Sequence, residues 1–229
     1  MFFPFDSTYL LILPGIILAF WAQMKVRNAY SKWSNFRTRA ALTGKEMAEM
    51  ILKSYNLTNI PVKPIAGELT DHYNPIKKEL ALSEGVYEND SVAAIGIAAH
   101  EAGHAIQHNY GYFPLQLRNG IYPIANFGSS LAFPLFFLGI IMGWNKFLID
   151  IAIYLFLGFV IFTIVTLPVE FNASKRAVII LNNSGLFTHE EIKGVKEVLS
   201  AAALTYVASA LTALLQLLRL LLIRNSREE

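Results

Sequence analysis

Charged side chains are missing from this chain in blocks. No Asp, Glu, Lys or Arg occurs from Ser7 to Met24, from Asn119 to Asn145, from Ile151 to Val169, or from Val198 to Leu218. A hydrocarbon core about 30 Å thick takes roughly 20 residues at about 1.5 Å rise each, so every block is long enough to span, the first most tightly. The competing reading, buried helices of a water-soluble core, asks for four such helices in 229 residues. Spans are predicted at about 7–24, 119–143, 147–167 and 198–223. Between them, Thr43-Gly-Lys-Glu46 has the form of a capping box opening a helix to about Tyr55. Ile60–Ile65 and Glu79–Ser83 read as short extended pieces broken by Pro, Gly and Asn, a small sheet or a hairpin. Asn89, Asp90 and Ser91 offer N-caps to an Ala/Ile-rich helix over 91–109. A further cytoplasmic helix is predicted from near Val169 to Asn183-Ser-Gly185, and Thr188-His-Glu-Glu191 caps the next. His189, Glu190 and Glu191 read as helix-start residues only.

Composition strengthens the membrane reading. Hydrophobic residues make up 54% and charged residues 16%, with mean hydropathy +0.42, against about 45–50% and about 25% in soluble domains. That excludes disorder and argues against a water-soluble globule. The net charge of +2 is too small to neutralise a run of phosphates, so no nucleic-acid partner is expected. With no cysteine, thiol nucleophiles, thiolate metal sites and disulfides are excluded, and any metal must be held by His, Asp or Glu.

The positive charges give an orientation. Asp6 precedes the first block and Lys25, Arg27, Lys32, Arg37 and Arg39 follow it, the reverse of a cleaved signal peptide, which predicts a retained anchor with its N-terminus outside. Of the 19 Lys and Arg, eleven fall in 25–118, one in the Gly143–Lys146 turn and four in 168–197. The positive-inside rule then places 25–118 and 168–197 in the cytoplasm. Arg219, Arg224 and Arg227 fit this less well, since four crossings put them outside. The last apolar helix therefore either spans or lies partly in the interface, and three to four spans are expected.

The helix over 91–109 carries His100-Glu101-Ala102-Gly103-His104, an H-E-x-x-H pattern. Four residues is about one helical turn, so both imidazoles leave one face roughly 6 Å apart, a spacing that suits one zinc ion bound at about 2.0–2.1 Å. Glu101 stands beside them as a general base that takes a proton from the attacking water and gives it to the leaving amine. The bland alternative is two histidines and a glutamate facing water. A catalytic zinc needs a third protein ligand and an open position. His108 stands about 12 Å along the axis from His100, which favours a supporting or surface role. Glu170 follows the third span on the same predicted side as the histidines, and the His2Glu set of zinc peptidases is its precedent. Its other reading is a helix-start carboxylate favoured by the helix dipole.

His100-Glu-Ala-Gly-His-Ala-Ile-Gln-His108, Leu69-Thr-Asp-His-Tyr-Asn-Pro75 and Thr166-Leu-Pro-Val-Glu-Phe-Asn-Ala-Ser174 together resemble the neutral zinc metallopeptidases of bacterial membranes, the YugP-like group. Ala201–Ala208 is similar to that group's C-terminal segment, so the resemblance covers nearly the whole chain. It implies a mainly α integral membrane helical bundle with a small cytoplasmic zincin-like α+β part, one domain over 1–229. It also implies a gluzincin with one Zn2+ on His100, His104 and Glu170 and with Glu101 as base; the spans and the Lys/Arg count make it a multi-pass protein of the cell membrane with its active site facing the cytoplasm. The layout is similar to that of HtpX-type and CAAX-protease-like peptidases, which usually carry an Asp four residues after the third-ligand Glu. Here that place is Ser174, and Ser174 or Asn172 is expected to replace the carboxylate more weakly. The same likeness suggests residues 79–83 as an edge strand pairing with an extended peptide; the alternative is a strand that only supports the sheet.

His72, Tyr73 and Arg176 are candidate oxyanion stabilisers, with a turn role as the other reading of His72. The function expected is a membrane-anchored zinc endopeptidase acting on peptides or membrane proteins at the bilayer. Two competitors stand beside it. One is an intramembrane site-two-type protease using Asp150; the other is a non-catalytic membrane scaffold braced by zinc, which a fourth protein ligand would favour.

Overall fold

The computed structural model describes residues 7–226, so Asp6 and Arg227, used in the orientation argument, lie outside the described residues. The chain is mainly helical. A short 3-10 turn at Ser7–Leu11 leads into α1 (Leu13–Ser34) and α2 (Gly44–Ser54). A small sheet follows, formed by β1 (Val62–Ile65), β2 (His72–Asn74) and β3 (Glu79–Ser83). Then come α3 (Glu84–Tyr87), α4 (Val92–Asn109), α5 (Phe113–Ile141), α6 (Lys146–Asn183) and α7 (His189–Asn225). Among the described residues α5, α6 and α7 are long and apolar enough to cross a membrane. The first predicted span falls on the 3-10 turn and the apolar start of α1, which runs on past Lys25, Arg27 and Lys32.

The described residues form two compact units. One takes the residues up to Ala22, Gln116–Pro168 and those from Thr205 on; the other takes Gln23–Leu115 and Val169–Leu204. The first is an apolar helical bundle. Phe136, Ile149, Ile153, Phe156, Val160 and Leu220 form its core, while Phe127, Ile141 and Tyr154 stay exposed, as helices solvated by hydrocarbon allow. A Cβ on Gly128 would lie 2.2 Å from the Leu155 carbonyl oxygen, so only glycine lets these two backbones meet. Arg224 pairs with Asp150 at 2.6 Å, and the Arg219 guanidinium lies 3.6 Å from the centre of the Tyr9 ring.

The second unit is an α+β unit with α4 at its centre. Ser91 caps α4 by accepting from the Ala94 N–H, and Thr43 and Glu46 close a reciprocal capping box on α2. Met47, Ile51 and Leu52 of α2, Leu80 and Leu82 of β3, and Ile95 and Ile106 of α4 are buried, with Leu181, Val195 and Leu199 completing the core. Each contributes about 1.5–3 kcal/mol of burial.

Three local expectations are corrected. The 60–65 and 79–83 segments do not form a hairpin: β1 and β3 pair in parallel, because the intervening chain carries β2, which pairs antiparallel with β3. The strand order is β1-β3-β2, so residues 79–83 are the central strand and not an edge. Leu80, Ala81, Leu82 and Ser83 are buried and both sides of β3 are already paired, which leaves no place for a substrate strand. Third, no new helix starts at Val169. α6 passes through Pro168 without a break, since a proline in a long helix removes one backbone bond and need not end it.

Candidate metal centre

The site belongs wholly to the α+β unit and begins with the burial of α4. Nearly every α4 residue from Val92 to Gln107 is buried, and the small ones let neighbouring backbones close in. A Cβ on Gly103 would lie 3.0 Å from the Ala173 carbonyl oxygen, so α6 beyond Pro168 lies directly against the turn of α4 that bears the histidines. That contact brings Glu170 to them. Because Glu170 lies mid-helix, the helix-start dipole role does not apply to it.

His100, His104 and Glu170 offer ligand atoms all within 4.8 Å of one another. His100 Nε2 lies 3.3 Å and His104 Nε2 3.6 Å from the same oxygen, Glu170 Oε2. Two atoms each about 2.0–2.1 Å from a tetrahedral ion stand about 3.3 Å apart, so this donor set fits zinc. Among the described residues the cluster has these three members and no fourth. Burial alone would raise the Glu170 pKa, but hydrogen bonds and charge from His100 and His104 outweigh it and hold the carboxyl well below its usual range. For His104, burial acts to lower the pKa, and the opposing hydrogen bond to Glu170 and the charges of Glu101 and Glu170 raise it.

Each imidazole is held from behind through its other nitrogen. His100 Nδ1 lies 3.1 Å from Ser174 Oγ, at the position where the resemblance expects a carboxylate. His104 Nδ1 lies 2.9 Å from Gln107 Oε1. Gln107, fully buried, donates from Nε2 to the Val169 carbonyl at 2.8 Å and to Asn172 Oδ1 at 3.0 Å. Asn172 Oδ1 also accepts from Arg176 Nε at 2.8 Å. Asn172 therefore reaches the site only through Gln107, and the Arg176 guanidinium is engaged with Asn172. Gln107 went unnoticed in the sequence, where its signal was an amide three residues after His104 in an otherwise apolar helix.

The opposite flank of α4 meets the sheet. Glu101, buried, accepts the Tyr73 backbone N–H at 3.0 Å, and the Tyr73 hydroxyl lies 2.9 Å from His108 Nδ1. β2, the edge strand beside α4, thus holds the general-base candidate by its backbone and His108 by its side chain. Asp71 was also passed over. It accepts the Ser83 N–H at 2.7 Å and bonds the Ser83 hydroxyl, tying the start of β2 to the end of β3. Burial raises its pKa against those bonds, and the nearby charge of Glu101 adds to the rise. His72 is exposed, with Nδ1 2.9 Å from the Thr70 carbonyl, holding its own turn. His189 and Glu190 lie on the exposed start of α7. Glu191 does more than start that helix, since it is buried and accepts the backbone N–H groups of Thr188 and Arg39.

The model of the family described as "Putative neutral zinc metallopeptidase" matches residues 8–225. The chain is 46% identical over 220 residues to "Putative membrane protease YugP" of Bacillus subtilis (strain 168), covering 96% of this chain and 97% of that one. No solved structure matches.

Proposed function

Because this chain belongs to the family of neutral zinc metallopeptidases, we propose that it is a membrane-anchored zinc endopeptidase. In this reading His100, His104 and Glu170 hold one Zn2+, Glu101 is the general base, and both compact units act as one peptidase with a zincin-like part in the cytoplasm. The observation that carries it is the meeting of three ligand atoms within 4.8 Å from two helices, beside a buried glutamate. When bound, zinc supplies Lewis-acid chemistry that polarises a carbonyl and makes water nucleophilic near neutral pH. The chain does the rest. Glu101, oriented by the Tyr73 N–H, takes the proton of the attacking water and passes it to the nitrogen of the breaking C–N bond. Tyr73, backed by His108, is the candidate to steady the oxyanion.

The cluster of three leaves a coordination position for substrate, which favours catalysis over a zinc-braced scaffold. Asp150 pairs with Arg224 in the apolar bundle, so nothing favours an intramembrane site built on it. The cytoplasmic orientation rests on the distribution of Lys and Arg. Glu101→Gln is the test. Peptide cleavage by the purified protein should fall by about 10²–10⁴, with zinc content by elemental analysis unchanged. Full turnover in that variant rules out the mechanism.

A further inference from the structure

We propose that Gln107 is a positioning residue, locked by Asn172 and Arg176, that presets His104 for metal binding. This rests on the peptidase reading above. The case comes from the polarity of a four-member chain of side chains whose ends permit one direction only. At one end, the Val169 carbonyl can only accept, so the Gln107 atom 2.8 Å from it is the amide NH2. At the other end, Arg176 Nε–H can only donate, so the Asn172 atom 2.8 Å from it is the carbonyl oxygen. That oxygen then accepts the second Gln107 N–H at 3.0 Å. With both donors committed, Gln107 turns its Oε1 to His104 Nδ1 at 2.9 Å, and Nδ1 must carry the proton. Once His104 is neutral its lone pair is thereby left on Nε2, the nitrogen that faces Glu170.

His100 is held differently. The Ser174 hydroxyl that meets its Nδ1 can donate or accept, so that contact does not choose a tautomer. The two ligand histidines are therefore unequal: His104 is fixed before metal arrives and His100 is not. Gln107 is completely buried and bonds His104 on α4 as well as two groups of α6, so it also sets the angle at which the third-ligand helix meets the imidazole.

The test compares Gln107→Met with the pair Asn172→Asp and Asn172→Leu in the full-length protein in detergent. Asp at 172 keeps the acceptor for Gln107 and Arg176; Leu removes it and leaves the amide held by the Val169 carbonyl alone. Zinc affinity by chelator competition should fall about 10–100-fold in Gln107→Met, the usual effect of losing a group that orients a metal-bound histidine. Asn172→Leu should fall measurably and Asn172→Asp should stay near wild type. The second readout needs no zinc. In metal-free protein labelled with 15N-histidine, which has five imidazoles, at a pH alkaline enough to make them all neutral, His104 should be a single Nδ1–H tautomer, mixed in Gln107→Met and shifted part of the way in Asn172→Leu. Equal zinc affinity in Asn172→Leu and Asn172→Asp overturns the proposal, even if Gln107→Met fails to fold. A neutral Nε2–H tautomer of His104 in the wild type at that alkaline pH overturns it too. Wild-type protein that binds no zinc defeats the peptidase reading instead, and the tautomer spectrum still decides this one.

Discussion

The two compact units handle buried polarity in opposite ways. Among the described residues of the apolar bundle the buried polar side chains are Thr163 and Thr166, each donating to a carbonyl of its own helix. Its charged pair, Asp150 with Arg224, lies near the start of α6 and the end of α7. In the α+β unit Glu101, His104, Gln107, Glu170 and Glu191 are buried and bond from one element to another. A helix in hydrocarbon has no water to satisfy its polar atoms, so it satisfies them within itself and leaves packing to hold its neighbours. Bonds between elements do something packing cannot: they fix which atom faces which. The bundle can tolerate exchange among apolar residues, whereas the site depends on particular donors and acceptors.

The sharpest way to break this contrast is Glu170→Ala. Elemental analysis should show zinc stoichiometry dropping from one toward zero, with helix content by circular dichroism preserved, because the bundle draws nothing from that carboxylate. Unchanged zinc in this variant means the third ligand lies elsewhere. Next in size is Gly128→Ala, which drives a Cβ against the Leu155 carbonyl. Thermal unfolding in detergent should report about 1–3 kcal/mol of destabilisation, while zinc affinity of the folded protein stays at the wild-type value.

A smaller effect separates the metal-free site from the loaded one. The His104 pKa is raised, so its contribution to stability is fully present below the ordinary 6.5 and is lost as pH climbs through the folded value. Glu170 is depressed, so its contribution is present above the ordinary 4.5 and is lost as pH falls through its folded value. The thermal midpoint of metal-free protein should therefore be highest between about pH 4.5 and 6.5 and decline on the alkaline side. Zinc, which needs neutral imidazoles, should remove that alkaline decline. Smallest is Arg224→Ala: the Asp150 pair is partly exposed, and its loss should cost less than about 1 kcal/mol in thermal unfolding and leave peptide cleavage unchanged.

Local chemistry and periodicity made much of the chain legible in advance. The capping box at Thr43 and Glu46, the Ser91 cap and the charge-free blocks each depend on neighbours a few residues apart; both caps appear at their predicted places, and the last three blocks fall in the helices long and apolar enough to cross a membrane. The spacing of His100 and His104 is of the same kind, since one helical turn sets it. Membership of the family was likewise written in short motifs.

Tertiary structure alone decided what distant residues do for each other. It made 79–83 a central strand, because three residues of β2, too few to signal a strand, close its other side. It laid the Ala173 backbone of α6 against Gly103 of α4, which brings Glu170 to the two histidines. It also joined Gln107 to Asn172 across 65 positions and Tyr73 to Glu101 across 28. The reason is physical: caps and helical turns are formed by bonds the chain makes with its own neighbourhood, whereas the partner of a buried amide or carboxylate is settled only when packing brings two remote segments within hydrogen-bond reach.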